Sequence, residues 1–434
     1  MREKGREAGQ VSIRGRGGNS ARLRMYNERI LLTQLRRLGQ ASQKELADAT
    51  GLTVPTVINI VDQFVGDGLV QPAGRRAGRV GQPSMLYEIN PDGVFACGLR
   101  VGVGVSDIVL MDFSGTIRQR VSRPVMPRFE DVCSFVAETC ARFLDSGPAS
   151  DKRLLGLGIA LAHDLWYGAD RNPLPPDIVA DWKSRNVAAE FSELIGKPVF
   201  AENETRVAAI AEYLFGEAQD FENFLYVSIG SHISGALVLG GNLHGGSSGS
   251  AATLGAIPVG RGRLAHSGAE GGRLNDRASL DGLIRHLGLH GFTIRAVSDL
   301  PAVIDQARGV IQEWIDDCIE ALTEGLTAAF AVIDVETVII DSALPQFLSL
   351  EIIERLGRRL AGHAVDDLGT PRLRKSALGS DAALFGSAIL PINAHFFPTG
   401  DGLATSDSNG SDNQVRPKVF FRAPAIGNEK QKKS

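Results

Sequence analysis

Residues 197–240 read KPVFAENETRVAAIAEYLFGEAQDFENFLYVSIGSHISGALVLG, and their periodicity changes twice. Lys197-Pro-Val-Phe-Ala201 is a short apolar run behind a proline, the form of a strand. Glu204 to Leu214 is a helical stretch that opens on an acid, which suits the dipole of a helix start. Phe224-Leu-Tyr-Val-Ser-Ile-Gly230 and Gly235-Ala-Leu-Val-Leu-Gly240 are two further strands with glycine punctuation. Strand, helix, strand and strand in one stretch is the pattern of an α/β protein.

The flanks continue it. FACGLRVGVGVSDIVLMDFSGTIRQRV, starting at Phe95, reads as strand, turn and strand. Val132–Leu144 is helical, and Leu154-Leu-Gly-Leu-Gly-Ile-Ala-Leu161 is another apolar strand. Beyond residue 240, helices and strands alternate to Val338-Ile-Ile-Asp341 and a last helix near Asp381–Leu390. The predicted fold class is α/β, and residues 93–397 have the length for two lobes. At roughly 150 residues per domain, a chain of 434 leaves room for about three units, so a third precedes this body.

Residues 1–24 are rich in Arg and Gly with few apolar positions, the composition of a flexible basic arm. In residues 25–92, Ile30, Leu31, Leu35 and Leu38 recur at helical spacing until Gly39. Ser42-Gln-Lys-Glu45 is a capping box, opening a helix with Leu46 and Ala47 that stops at Thr50-Gly51-Leu52. Thr53 is placed to cap a third helix with Pro55 in its first turn. Val54, Val57, Val61 and Phe64 form its apolar stripe, which leaves Thr53, Pro55, Thr56, Asn59 and Gln63 facing outward. Two helices around a short Gly-containing turn form a helix-turn-helix pattern, whose second helix enters the major groove of double-stranded DNA. Gly68–Pro72 and Met85–Ile89 read as strands. The intervening GRRAGRVGQP supplies Arg75, Arg76 and Arg79 without an acid, a basic wing for phosphates or the minor groove. A three-helix bundle alone also suits protein contacts; the basic wing favours DNA.

Charge divides the same way. The whole chain carries 46 basic and 50 acidic side chains, net −4. Residues 1–90 hold 14 basic against 8 acidic, +6, and the remaining residues 32 against 42, −10. A basic module is joined to an acidic body. No apolar run approaches the roughly 18–20 residues that span a bilayer, and MREKGREAGQVSIRGRGG lacks the apolar core of a secretory signal. Cys97, Cys133, Cys140 and Cys318 make neither a CxxC pair nor a disulfide framework, which suits buried thiols in a reducing cytoplasm. Residues 398–434, beginning TGDGLATSDSNGSDNQ from Thr399, have the composition of a flexible tail.

The order of these features carries a resemblance. A winged helix-turn-helix is followed by a hairpin at Gly98–Gly104, by Pro198-Val-Phe-Ala-Glu-Asn203-Glu204, by Gly216, and by Tyr226-Val-Ser-Ile-Gly-Ser-His-Ile-Ser-Gly-Ala-Leu-Val-Leu-Gly-Gly-Asn-Leu-His-Gly-Gly. This resembles the ROK family (repressor, open reading frame, kinase) in its transcription-regulator branch, over roughly Met25 to Pro398. The resemblance implies a two-lobed actin-like, hexokinase-type (ribonuclease H-like) domain that commonly oligomerises. It also implies a sugar or sugar phosphate as effector.

Against the family's motifs, the nucleotide side is altered. The resemblance implies an Asp-x-Gly-Gly-Thr phosphate turn where this chain has Arg100-Val-Gly102-Val-Gly104. It implies a second, Gly-rich phosphate loop where Gly230-Ser-His-Ile-Ser-Gly-Ala236 stands, and side chains at His232 and Ser234 obstruct a cradle made of bare backbone. The adenosine-side Gly-Gly reads Asp341-Ser342. No catalytic residue and no cofactor are expected, because phosphoryl transfer depends on this positioning and charge neutralisation. On the sugar side Asn203 matches a ligand to sugar hydroxyls, and Glu204 occupies the position of the family's general-base Asp. Glu204 can accept hydroxyl hydrogen bonds or simply start the next helix. The family's sugar-binding Glu falls at Thr253, its His at Ala256 and a later Glu at Asn275, while His163 and Asp164 fall in a loop edging the sugar cleft. The cysteine run of the family's zinc site is missing from Gly260–Arg273, where His266 stands alone, so no metal is expected there.

The sequence therefore predicts a cytoplasmic DNA-binding repressor of carbohydrate uptake or catabolism genes, acting on a pseudo-palindromic operator as a homodimer or homotetramer. The expected ligand positions are Asn203, Glu204, Thr253, Asn275 and His163. The competing readings are a sugar kinase with an accessory domain and a ligand-independent regulator whose body only oligomerises.

Overall fold

The computed structural model describes residues 19–76, 84–102, 105–124, 127–146, 151–162, 174–247, 249–264, 272–362, 369 and 371–396. The predicted basic arm up to residue 18, Arg79, Gly104, His163, Asp164, His266 and the tail from residue 397 lie outside them.

The N-terminal unit is α1 (Asn19–Leu38), β1 (Gln40–Ser42), α2 (Gln43–Thr50), α3 (Val54–Gly66), β2 (Val70–Arg76) and β3 (Ser84–Ile89). Helix α1 starts at Asn19, ahead of the point where apolar spacing becomes readable. Its core gathers Leu31, Leu35, Leu46, Val57, Val61 and Phe64. The strands form an antiparallel sheet in the order β1-β3-β2. Strand β1 is not foreseen in the sequence: three residues are too few to show alternation.

The body contains two five-stranded sheets of identical plan. The first takes β4 (Phe95–Val101), β5 (Ser106–Asp112), β6 (Ile117–Arg123), β7 (Leu154–Leu161) and β8 (Val199–Asn203) in the order β6-β5-β4-β7-β8. The second takes β9 (Phe224–Ile229), β10 (Ile233–Leu239), β11 (Asn242–His244), β12 (Thr337–Ser342) and β13 (Arg372–Lys375) in the order β11-β10-β9-β12-β13. In each, an antiparallel meander is extended by two parallel strands. Helices α4 (Phe129–Ser146), α5 (Pro176–Ser184) and α6 (Val187–Ile195) cover the first sheet around Phe135, Trp182 and Phe191. Helices α8 (Leu274–Ala278), α9 (Leu280–Leu289), α10 (Arg308–Phe330) and α11 (Gln346–Gly362) cover the second around Trp314.

Two helices join the halves: α7 (Glu204–Phe215) and α12 (Ala382–Phe396). Their approach needs glycine. A Cβ on Gly386 would stand 2.0 Å from Val207 O of α7, and one on Gly158 of β7 would stand 1.8 Å from Ser387 O. Glu212, fully buried on α7, reinforces the join: Oε1 accepts from Ser376 Oγ at 2.6 Å and from Leu378 N at 2.9 Å, on the chain leading into α12. The N-terminal unit docks at the far end of α12. Arg29 Nη2 donates to Ala394 O at 3.4 Å, and Arg36 Nη2 donates to Phe113 O at 2.6 Å with its guanidinium over the Phe113 ring. Burial lowers the Arg36 pKa to about 10, with Asp112 opposing, so it stays charged at neutral pH.

Because the atom facing Gly386 is backbone, Gly386→Ala cannot be relieved by a rotamer change. We expect a loss of about 3 kcal/mol or more, read as a lower urea midpoint at unchanged m-value.

Candidate nucleic-acid interface and effector cleft

The capping box forms as the sequence implies. Glu45 N donates to Ser42 Oγ at 3.3 Å, and Ser42 N donates back to Glu45 Oε2 at 2.8 Å. Gly51, in the left-handed region, turns the chain into α3. Thr53 takes the N-cap backbone conformation without capping; its hydroxyl pairs with Thr56 Oγ1 at 2.8 Å instead. The buried stripe is Val57, Ile60, Val61 and Phe64. Val54, expected in it, is 44% exposed, because it belongs to the first turn, beyond the reach of the core. The solvent face is therefore Val54, Pro55, Ile58, Asn59 and Asp62, with Thr53 exposed at its start. Thr56 and Gln63 lie half-buried on its edges, and Gln63 Oε1 accepts from Arg24 Nη2 of α1 at 2.5 Å. Val54 and Ile58 add apolar surface of the kind that meets thymine methyl groups; a stripe assigned from the helix start hides Val54.

Arg75 and Arg76 sit exposed at the distal end of β2, paired with Met85 and Ser84 of β3. They differ in freedom. Arg76 Nη1 contacts Glu45 Oε1 at 2.6 Å, so the carboxylate that caps α2 also holds the wing strand. Ser42, chiefly through its backbone N–H, keeps the Glu45 carboxyl below its usual pKa.

In the body, the hairpin between β4 and β5 turns between Gly102 and Val105 and sets Arg100 opposite Asp107. Arg100 Nη2 donates to Asp107 Oδ2 at 2.8 Å and Nη1 to Ser380 O at 3.2 Å. Asp107, buried, also accepts from Ser122 Oγ and from Arg120 Nη2 at 3.2 Å; Arg120 reaches Asp381 at 3.0 Å. Burial pushes the Asp107 pKa up, but the Ser122 hydroxyl and the two guanidiniums outweigh it and the net shift is downward. Hairpin register makes this partner findable in the sequence, where it was missed.

At the β9–β10 turn, Gly230 N donates to His232 O at 3.2 Å, a tight reversal with His232 half-buried in it. Asn275 Oδ1 accepts from Ile233 N at 2.8 Å and thereby braces that turn. Asn203 ends β8 and caps α7, its Oδ1 accepting from Thr205 N at 2.9 Å and Arg206 N at 3.4 Å. Glu204 is the first residue of α7 and half-buried. Arg206 crosses to the second half, where Nη1 donates to Gly249 O at 3.2 Å. In the adjoining loop Thr253 is exposed and donates to Ser250 O at 2.7 Å. A Cβ on Gly255 would stand 3.2 Å from Asn275 Cβ. Arg206 thus links the segment carrying Asn203 and Glu204 to the loop carrying Thr253, and Gly255 packs that loop on Asn275. Ala252, in the same loop, has φ 60°, the single non-glycine residue at positive φ among the described residues.

The sequence profile of the ROK family matches residues 96–394. The chain belongs to the ROK family. An uncharacterised Sinorhizobium fredii protein, y4fQ, is 25% identical over 92% of this chain and 97% of its own length. The xylose repressor of Bacillus subtilis is 24% identical over 55% of this chain, which spans only 61% of that repressor. Among solved structures, a ROK family transcriptional regulator described as a homologue of the E. coli MLC protein superposes with TM-score 0.65 at 18% identity, covering 86% of this chain and 96% of its own. The ROK hexokinase of Thermus thermophilus superposes with TM-score 0.53 at 23% identity, over 68% and 97%. The body is an actin-like, hexokinase-type ROK domain. Among the described residues no helix is long and apolar enough to cross a membrane.

Within this ROK body, the ion pair at Arg100 is a structural tie between β4, β5 and β6 rather than a waiting anion receptor. The Asp107 contribution is present above the unfolded carboxylate pKa of about 3.9 and is lost as pH falls through the lower folded value. Asp107→Asn should cost about 3 kcal/mol at neutral pH, since it leaves two guanidiniums short of charge. In denaturation curves the gap from the parent protein should close below about pH 4.

Proposed function

We propose that this chain is a DNA-binding transcriptional regulator, a repressor of carbohydrate uptake or catabolism genes, whose ROK domain binds a sugar or sugar phosphate without phosphorylating it. The observation that carries the reading is the exposed leading face of α3 (Thr53, Val54, Pro55, Ile58 and Asn59) on a unit whose β2–β3 hairpin bears Arg75 and Arg76. Three helices, a short sheet and a basic hairpin make a winged helix-turn-helix, with α3 as the major-groove helix. Thr53, Thr56 and Asn59 are the candidates for base edges, and Arg75, Arg76 and Arg79 for phosphates or the minor groove. A homodimer or homotetramer would present two such units to a pseudo-palindromic operator. Relatives named as repressors support the regulatory reading. Against kinase chemistry stand Arg100, committed to Asp107, and the occupied turn at His232; sugar-dependent ATP hydrolysis by the purified protein would overturn that half.

Arg75→Ala should weaken binding to all DNA sequences alike and reduce the slope of log affinity against log salt by about 1; an unchanged slope removes the hairpin from the interface. Asn59→Ala should instead relax preference at one base pair by about 1–3 kcal/mol.

For the effector, ligand bound between the halves shifts the population toward an arrangement that repositions the DNA units, and does so only by binding that arrangement better. Asn203→Ala would confound this test by removing the cap of α7. Asn203→Asp keeps a capping oxygen and removes the amide donors. We expect parent-like thermal stability with sugar-dependent DNA release lost or moved at least about tenfold in concentration. Release at the parent's concentration places the ligand elsewhere.

A further inference from the structure

The two-histidine face of α9 is used by none of the foregoing. His286 lies in its last turn and His290 at its C-cap, a spacing of four that stacks both rings on one side of the helix. The imidazoles meet edge to face with centroids 4.6 Å apart. Glu313 of α10 stands beside them, its Oε2 3.1 Å from His286 Nε2. One nitrogen or oxygen ligand atom from each of the three lies within 4.8 Å of the others.

Hydrogen bonding sets the chemistry of His290. Its Nδ1 is 3.0 Å from His286 O. A carbonyl only accepts, so Nδ1 carries the proton and Nε2 keeps its lone pair. A bond of this type orients metal-binding histidines and raises their basicity. Burial lowers the pKa of His286 against the pull of Glu313 and so favours the neutral ring; an ion on Nε2 would replace the proton that Nε2 donates to Glu313 here, with the ring proton then on Nδ1. His286 forms a buried floor, while His290 and Glu313 are exposed and leave a path for an ion and its water.

We propose that His286, His290 and Glu313 bind a divalent transition-metal ion of the zinc class, with water completing the coordination. Nitrogen and carboxylate ligands at about 2.0–2.2 Å from zinc stand roughly 3.4 Å apart in a tetrahedron. The His286–Glu313 pair is already near that spacing, and the wider separations close by rotation of two exposed side chains. The site uses none of the positions 260–273 where the cysteine run of the family is missing, the loss that left the expectation of no metal. An ion here would pin the end of α9 to α10 across the long connection from His290 to Ala307.

The test is titration of Co2+ into metal-free full-length protein, followed by visible d–d absorption, then displacement with Zn2+. We expect one Co2+ per chain with a band of tetrahedral intensity, bleached by one equivalent of Zn2+. His290→Ala and Glu313→Gln change exposed side chains and should leave the far-ultraviolet circular dichroism unaltered. Each should weaken Co2+ binding at least about 100-fold, the upper end of what loss of a mere supporting partner costs. His290→Cys should restore binding with a sulfur-to-cobalt charge-transfer band. Absence of any band, or parent-like affinity in both loss variants, overturns the proposal.

Discussion

The approach of α12 to α7 and to the first sheet is the constraint on which the remaining arrangement rests. Backbone stands where Cβ atoms would be at Gly158 and Gly386, so the helix can occupy only one depth. That depth places Phe396 against Phe113, with ring centroids 4.9 Å apart, and Ala394 O within reach of Arg29. The N-terminal unit therefore sits on a surface made jointly by the β5–β6 turn and the end of α12. Its core is continuous with that of the body: Val94 and Phe113 belong to the same buried cluster as Leu31, Val57 and Phe64.

Much of this was legible because periodicity and capping are local. The Ser42–Glu45 box, the Gly51 turn, strand β7 at Leu154–Leu161 and the helix beginning at Glu204 all lie where their residues indicate. Short elements escaped: β1, β11 and β13 have three or four residues each, and their pairing depends on partners distant in sequence. The last helix reads as ending near Leu390 but continues through the buried Pro391 to Phe396. At the candidate interface the error was one of phase. Val54 reads as core because it precedes Val57 by three, yet Ile60, not Val54, completes the buried stripe. Pairings such as Arg76 with Glu45 and Gln63 with Arg24 join residues 31 and 39 positions apart, and no local pattern reports them.

Ala252 keeps a left-handed conformation where the family resemblance implies glycine, at a cost of about 1 kcal/mol or more. Packing holds it there: a Cβ on the facing Gly235 would meet Ala252 O and Leu254 at 2.7 Å. The strained backbone beside Thr253 is thus held by its packing on β10. At the β4–β5 turn, Asp107 is buried beside a half-exposed Arg100, and Arg120 and Asp381 extend a charge-alternating chain from them across three strands and into the lead-in to α12.

The same contacts define how a ligand could be felt at DNA on the proposed reading. Asn203 caps the start of α7, one turn short of the end of which Glu212 is bonded to Ser376 and Leu378, and those residues lead into α12. Helix α12 ends against Arg29 and Phe113. The links are of mixed kind: the Glu212–Ser376 hydrogen bond is buried, the Asn203 cap and the Arg29–Ala394 bond are half-buried, and Phe396 meets Phe113 ring to ring. On that reading, a ligand that alters the angle between the two sheets would turn α12 relative to α7 about their glycine seam, and the N-terminal unit, held at the end of α12, would turn with it. The spacing of two such units in an oligomer would change although neither unit changes internally.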